Sequence, residues 1–122
     1  MTETQNSKRY DLEERTARFA ERCGGFVKKL PKLIPNLEYG KQLTRSSGSQ
    51  AANYIEANEA LSKKDFVHRI RICRKEAKES SLWLRLCDIA DSEALDKERR
   101  ELMQEAQELR NIFTSILNKS EK

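Results

Sequence analysis

Six cationic or titratable side chains recur at intervals of three and four residues along the third predicted helix. They are Lys64, His68, Arg71, Lys75, Lys78 and, after a gap at Leu82, Arg85. This spacing places them on one face of a helix, and no acidic residue occupies any of the six positions. Such a face can contact the phosphates of RNA or DNA. Simple solvation of a charged outer face is the alternative.

The mode of contact that this face predicts is directed at the nucleic-acid backbone. No aromatic residue is interleaved with the six positions, so base stacking is not indicated. We therefore expect weak sequence preference.

Catalytic chemistry finds little support in the residue types. His68 is the only histidine and lies beside Arg69, with no partner in the sequence to complete a dyad. Glu76 and Glu79 lie about one turn apart, but carboxylate-bridged metal sites in bundles also need a Glu-x-x-His spacing. The sequence therefore predicts a non-enzymatic protein with no catalytic residue, metal or cofactor, and it implies no small-molecule substrate.

Apolar and small residues at helical spacing predict the elements that carry these side chains. The stripe of the third helix comprises Phe66, Ile70, Cys73, Ala77, Ser80, Leu84 and Cys87, and that of the first helix comprises Leu12, Thr16, Phe19, Cys23, Phe26 and Leu30. The fourth stripe comprises Leu95, Leu102, Leu109, Phe113 and Ile116. The second helix is rich in Ser, Ala and Gly, which allow close packing inside a bundle.

The predicted helices span residues 8–30, 37–60, 63–90 and from 93 onward. Asn36, Ser62 and Ser92 are the expected N-caps, and Ser62 with Asp65 forms a capping box. The short connections predict an antiparallel up-down-up-down four-helix bundle, all-α, as one domain over residues 8–118. Residues 1–7 and 119–122 are expected to be disordered.

Composition agrees with this fold class. The chain has 122 residues, of which 36% are charged, and only four Gly and two Pro. A net charge of +4 is mild, but residues 61–90 hold eight Lys or Arg against four Asp or Glu. The excess is thus concentrated on the third helix.

Cysteine usage and hydropathy predict the compartment. Three cysteines without regular spacing fit neither a disulfide framework nor a zinc site, so we expect buried reduced thiols. No apolar run approaches the roughly 20 residues of a membrane span, and the first residues lack the apolar segment of a signal peptide. A soluble cytoplasmic protein without a membrane partner is expected.

As a pattern of four helices, roughly from Leu12 to Leu117, the chain resembles a bacterial family of four-helix-bundle proteins, whose specific motifs lie here between Gln42 and Glu79. The family is named after reading frames in the intervening sequences of large-subunit ribosomal RNA genes. Its motif Gln-Leu-Arg-Arg-Ala-Ala-x-Ser-Ile-Pro-x-Asn-Ile-Ala-Glu-Gly is matched at Gln42, Leu43, Arg45, Ser49, Asn53 and Glu56, and its Ser-Lys-Lys-Glu-Phe at residues 62–66 with Asp65 for Glu. Arg74 and Glu79 fall on its Ala-Arg-x-x-x-x-Glu spacing. Thr44, Ala51 and Ala57 depart from the motif.

This resemblance implies a structural role for several polar residues and a homopentameric assembly around a central channel. Arg45, Asn53, Glu56, Arg74 and Glu79 lie on or beside the facing sides of helices two and three. The resemblance favours a hydrogen-bonded network of these residues, within or between subunits. Ordinary solvated charges are the alternative for Arg74 and Glu79.

An apolar band on helix three also favours assembly. Leu82, Trp83, Leu86 and Ile89 extend the apolar surface beyond the core stripe, more widely than a single bundle needs. Trp83 is accordingly a candidate subunit contact, with burial against helix four as the alternative.

Two other functions stay open at this point. One is an accessory protein of a diversity-generating retroelement, which acts beside a reverse transcriptase and has a related fold. The other is a protein-interaction scaffold with no nucleic-acid ligand. Binding of RNA at physiological salt distinguishes the scaffold from the other functions.

Overall fold

The computed structural model describes the backbone of residues 3–121 and the side chains of residues 11–121. Over these residues the chain forms four helices and no strand: α1 (Glu3–Lys29), α2 (Ile34–Asn58), α3 (Lys63–Leu86) and α4 (Glu93–Ser120). The all-α four-helix bundle predicted from the sequence is confirmed. The disorder expected for residues 1–7 and 119–122 falls partly outside the described residues; within them, helix continues back to Glu3 and forward to Ser120.

Neighbouring helices are antiparallel. Each helix packs against the next in the chain, and α4 returns to pack against α1. Lys29, at the end of α1, lies 2.5 Å from Glu98 near the start of α4. Arg15, earlier in α1, forms a bidentate pair with Glu105 at 2.8 Å, further along α4. These pairs fix the opposite directions of the two outer helices.

The predicted stripes form the core. All six stripe residues of α1 are buried, as are Ile70, Cys73, Ala77 and Leu84 of α3. Phe66 is only partly buried against this core, because it lies in the first turn of α3 at the end of the bundle. The rings of Tyr54 and Phe113 meet across the centre, 6.3 Å apart.

Small polar side chains fill the contact between α2 and its neighbours. The hydroxyl oxygens of Ser46 and Ser80 lie 2.8 Å apart and are fully buried. Gln50 is also fully buried and donates its amide to the carbonyl of Thr16 at 2.9 Å. Short side chains therefore allow the close approach of α2 and α3 that the sequence predicts.

The caps of α3 and α4 agree with prediction, whereas that of α2 does not. Ser62 accepts a hydrogen bond from the amide of Asp65 at 3.1 Å, and Ser92 accepts one from the amide of Leu95 at 3.2 Å. The expected N-cap Asn36 is wrong, because α2 begins at Ile34 with Leu33 in the cap position. Pro35 fits inside this first turn because the amide that it lacks would have no partner within the helix there.

Helix α3 ends at Leu86, four residues earlier than predicted. Ala90 and Asp91 adopt positive φ angles of 49° and 61°, which a right-handed helix cannot contain. Asn36 holds the connecting segment: its side chain accepts from the amide of Asp88 and donates to the carbonyl of Asp88, both at 2.8 Å.

The cysteines are free and buried, as predicted. Burial raises the pKa of Cys23 and of Cys73 to about 12, so both thiols stay protonated at neutral pH. Their role is therefore packing. Within the described part of the chain, no helix is long and apolar enough to cross a lipid bilayer.

Candidate nucleic-acid interface

The outer face of α3 carries all six cationic or titratable side chains selected from the sequence. We call this set the basic ridge: Lys64, His68, Arg71, Lys75, Lys78 and Arg85, each of which is exposed. The buried side of the same helix holds the core stripe, so the helical period that buries Ile70 and Leu84 also directs the basic ridge to solvent. The ridge extends over about 32 Å of helix axis.

Most cations of the basic ridge have no acidic partner. Among the described residues, neither Lys64, Lys75, Lys78 nor Arg85 has a carboxylate within 4.0 Å. Arg71 differs, since its guanidinium donates to the carboxylate of Glu121 at the end of α4. Four cations per chain are therefore available to an external anion.

A second group of polar residues joins α2 to α3 on the side of α3 that faces α2. The guanidinium of Arg45 lies 2.8 Å from a carboxylate oxygen of Glu76 and 3.6 Å from one of Glu79. Glu76 is almost completely buried, with 5% of its side chain exposed, whereas Arg45 is half exposed. The structure thus brings Arg45 together with the predicted Glu79 and with Glu76, which sequence reasoning did not assign to this group.

A neighbouring link involves Asn53. Its side-chain oxygen accepts from Arg69 at 3.0 Å, and its amide donates to the carbonyl of Ser49 at 2.9 Å. Arg69 also lies 3.9 Å from Asp65 of its own helix. This link stabilises the contact of α2 with the first turns of α3.

The other two residues expected in the polar group do not join it. Glu56 is exposed, and Arg74 is partly buried; neither makes a side-chain hydrogen bond or ion pair with another described residue. The missed partner Glu76 had a sequence signal. It lies three residues after Cys73 and four before Ser80, so it falls in phase with the buried stripe.

The pKa values of the two carboxyl groups of α3, Glu76 and Glu79, are shifted in opposite directions. Burial alone would raise the pKa of Glu76, but hydrogen bonds from Ser49, Glu79 and Arg45 hold it below the usual value. The hydrogen bond to Glu76, together with partial burial, raises the pKa of Glu79. Glu79 is thus the carboxyl that takes up a proton first as pH falls.

We expect Glu79→Gln to become increasingly stabilising relative to the parent protein as pH rises. Protonated Glu79 favours the folded state, and this contribution is lost as pH rises from the ordinary glutamate value of 4.5 through the raised pKa in the fold. A glutamine amide donates at every pH. Urea unfolding between about pH 4 and about pH 8 measures the difference.

Glu76→Gln provides the matched control with the opposite sign. Because the pKa of Glu76 is lowered by folding, its stabilisation is present at neutral pH and is lost as pH falls. We expect this variant to lose about 2 kcal/mol at neutral pH and less in acid. Parallel pH profiles for the two variants would contradict the opposite pKa shifts of Glu76 and Glu79.

Trp83, the candidate subunit contact, packs within the chain. Its indole stacks on Tyr39 of α2, with ring centroids 6.0 Å apart and an interplanar angle of 22°. The side chain is partly buried, and its Nε1 atom is buried without a hydrogen-bond partner among the described residues. Its neighbours Leu82 and Leu86 are more accessible, with 42% and 39% exposed.

Comparison with known proteins gives one family and a related structure. The model of the 23S rRNA-intervening sequence protein family matches residues 8–115. A crystal structure of a protein of unknown function from the S23 ribosomal protein family of Bacteroides thetaiotaomicron is 27% identical, covering 91% of this chain and 98% of that chain with a TM-score of 0.75. No curated protein matches the chain.

Proposed function

Because the chain belongs to the 23S rRNA-intervening sequence protein family, we propose that it is a non-enzymatic, homo-oligomeric bundle protein that binds the backbone of RNA or DNA through the basic ridge. The observation that carries this proposal is the row of four exposed cations that have no acidic partner in the described part of the chain: Lys64, Lys75, Lys78 and Arg85. The names of the family and of the related structure do not indicate an enzyme.

The physical basis of the proposed binding is counterion release. Each lysine or arginine that neutralises a phosphate releases condensed cations, which favours binding without reading the sequence. A solvated face would carry compensating acids in comparable number, but among the described residues only Arg71 of the basic ridge has an acidic partner. The ridge is also convex and lacks aromatic side chains, which suits contact with phosphates rather than with bases.

The proposal predicts that neutralising three ridge lysines weakens binding to duplex RNA or DNA. The variant is Lys64→Gln, Lys75→Gln and Lys78→Gln, whose exposed positions leave the core unchanged. We expect an affinity loss of about tenfold or more at low salt, because up to three phosphate contacts disappear. Fluorescence anisotropy with a labelled duplex measures it.

A control variant removes the same charge from other faces. Arg22→Gln, Lys97→Gln and Lys119→Gln replace three exposed cations of α1 and α4, each without an ion pair among the described residues. The net positive charge of the protein, and with it the long-range attraction for nucleic acid, falls equally in both variants. Equal binding by the ridge variant and the control variant would favour the scaffold without a nucleic-acid ligand.

We further propose that copies of the chain assemble through the end of the bundle where α2 begins and α3 ends. Exposed apolar side chains concentrate there: Leu33, Ile34, Leu82 and Leu86, of which Ile34 is 77% exposed. Apolar clusters of this kind on a soluble protein mark contact surfaces. A cyclic assembly, five copies by the family resemblance, would repeat the basic ridge and strengthen binding.

Replacing Leu82 and Leu86 by serine should dissociate the oligomer without unfolding the chain. Both side chains are largely exposed in the single bundle, so their loss removes little of its core. Light scattering at micromolar concentration should give a multiple of 14.2 kDa for the parent protein and 14.2 kDa for the variant.

Leu61→Ser is the matched control, since Leu61 is fully exposed at the opposite end of the bundle. We expect this variant to keep the parent mass. A monomeric parent protein would contradict the proposed assembly.

A further inference from the structure

A groove lies between the last turn of α1, the loop that follows it and the first half of α2. Its volume is about 610 Å³, which lies within the range of about 300–1,000 Å³ typical of ligand sites. The half-buried Val27 and the buried Leu30 form its apolar floor, and its charged lining consists of Lys28, Lys32, Lys41 and Arg45. Among the described residues, no acidic side chain lines it.

The floor of the groove depends on close contact between α1 and α2. A Cβ atom added to Gly40 would lie 3.0 Å from Cγ1 of Val27. Glycine at this position therefore lets Val27 approach the backbone of α2. The close approach keeps an apolar surface at the base of the groove beneath the cationic rim.

The positive charge of the groove comes from its three lysines. Lys28, Lys32 and Lys41 are exposed, and none has a carboxylate within 4.0 Å among the described residues. Arg45 contributes little, because Glu76 and Glu79 compensate its charge. A concave surface with one sign of charge concentrates the opposite ion.

We infer that this groove binds an unpaired nucleotide of a single-stranded nucleic acid, with the phosphate on the lysines and the base on the apolar floor. The inference rests on the proposed function and extends it to a second contact. Lysine binds phosphate as a point charge, whereas planar carboxylate recognition favours the fork of arginine. Arg45, the one arginine among the described lining residues, is already engaged with Glu76 and Glu79, so phosphate is favoured over an acidic peptide.

The basic ridge and the groove differ in shape and therefore suit different nucleic acids. The basic ridge is a convex helix face that a duplex backbone can lie against, whereas the groove is a concavity of about 610 Å³, the volume of a small-ligand site. An unpaired nucleotide also offers a flat apolar base for the floor formed by Val27 and Leu30. Duplex ends with unpaired overhangs would engage both surfaces.

The test uses the variant Lys28→Gln, Lys32→Gln and Lys41→Gln, compared with the ridge variant and the control variant that remove equal charge. Fluorescence anisotropy is measured with a labelled oligo-thymidylate and with a duplex of the same length. We expect the groove variant to lose about tenfold or more in affinity for the single strand, while its duplex affinity equals that of the control variant. Circular dichroism and light scattering confirm that fold and assembly are unchanged.

Three other outcomes would overturn the inference. Single-strand binding by the groove variant equal to that of the control variant, with duplex binding lost in the ridge variant, would leave the proposed function intact without the groove. Displacement of oligo-thymidylate by poly-glutamate at equal charge concentration would make the groove a site for acidic peptides. No binding of either nucleic acid by the parent protein would reject the inference and the proposed function together.

Discussion

Phe113→Ala should lower the free energy of unfolding by about 3–5 kcal/mol, measured by urea denaturation. The Phe113 side chain is completely buried, and its ring packs against Tyr54 across the centre of the bundle. Alanine would leave a cavity lined by residues from several helices, which a rigid bundle cannot close by a local shift.

Phe66→Ala is the control of the same residue type. Phe66 is only partly buried in the first turn of α3, so water replaces part of the lost contact. Its loss of stability should be clearly smaller than that of Phe113→Ala. Equal losses would mean that the core does not centre on the contact of Phe113 with Tyr54.

Asn36→Ala should be the second large effect, with an expected loss of about 2–4 kcal/mol. The buried side chain makes three hydrogen bonds, with the carbonyl of Pro31 at 2.9 Å and with the amide and carbonyl of Asp88 at 2.8 Å. Each is worth about 0.5–1.5 kcal/mol, and alanine leaves its partners in a poorly solvated corner. Urea denaturation measures the loss.

Asn118→Ala, at an exposed position of α4, is the control and should change stability by less than about 0.5 kcal/mol. Hydrogen exchange should locate the effect of Asn36→Ala in the segment after α3, where the amide of Asp88 loses its acceptor. A variant as stable as the parent protein would show that this segment holds its conformation without Asn36.

Periodicity predicted the parts of the fold that depend on local sequence. The stripes of α1 and α3 follow from one rule, that side chains three and four residues apart share a helix face. The caps at Ser62 and Ser92 follow from a similar local rule, since a hydroxyl reaches an amide three residues later. These features need no knowledge of what the helix packs against.

Features that depend on contacts between distant segments were not predictable. Asn36 was expected as a cap, but its partner Asp88 lies 52 residues away, and this contact helps to end α3 before the predicted boundary.

The exposure of the basic ridge was predictable from the helical period of the sequence. The pairing of Arg71 with Glu121, 50 residues away, was not. The pairing of Arg45 with Glu76, 31 residues away, was unpredictable for the same reason.

The groove between α1 and α2 could not be found from the sequence for a related reason. Lys28 lies in the last turn of α1, where cations commonly complement the helix dipole, Lys32 lies in the loop that follows, and Lys41 lies on α2. Only the packing of Val27 against Gly40 shows that the three line one concavity. The three lysines are ordinary in their own segments and form a cationic cluster only when the chain folds.

The central proposal is that the basic ridge binds nucleic acid by neutralising backbone phosphates. The most direct measurement is the affinity of the parent protein for a duplex as a function of salt concentration. Four cations of each ridge have no acidic partner within residues 11–121, so we expect log affinity to fall linearly with log salt, with a slope of about −3 or steeper. A slope near zero, or no binding at low salt, would contradict the proposal.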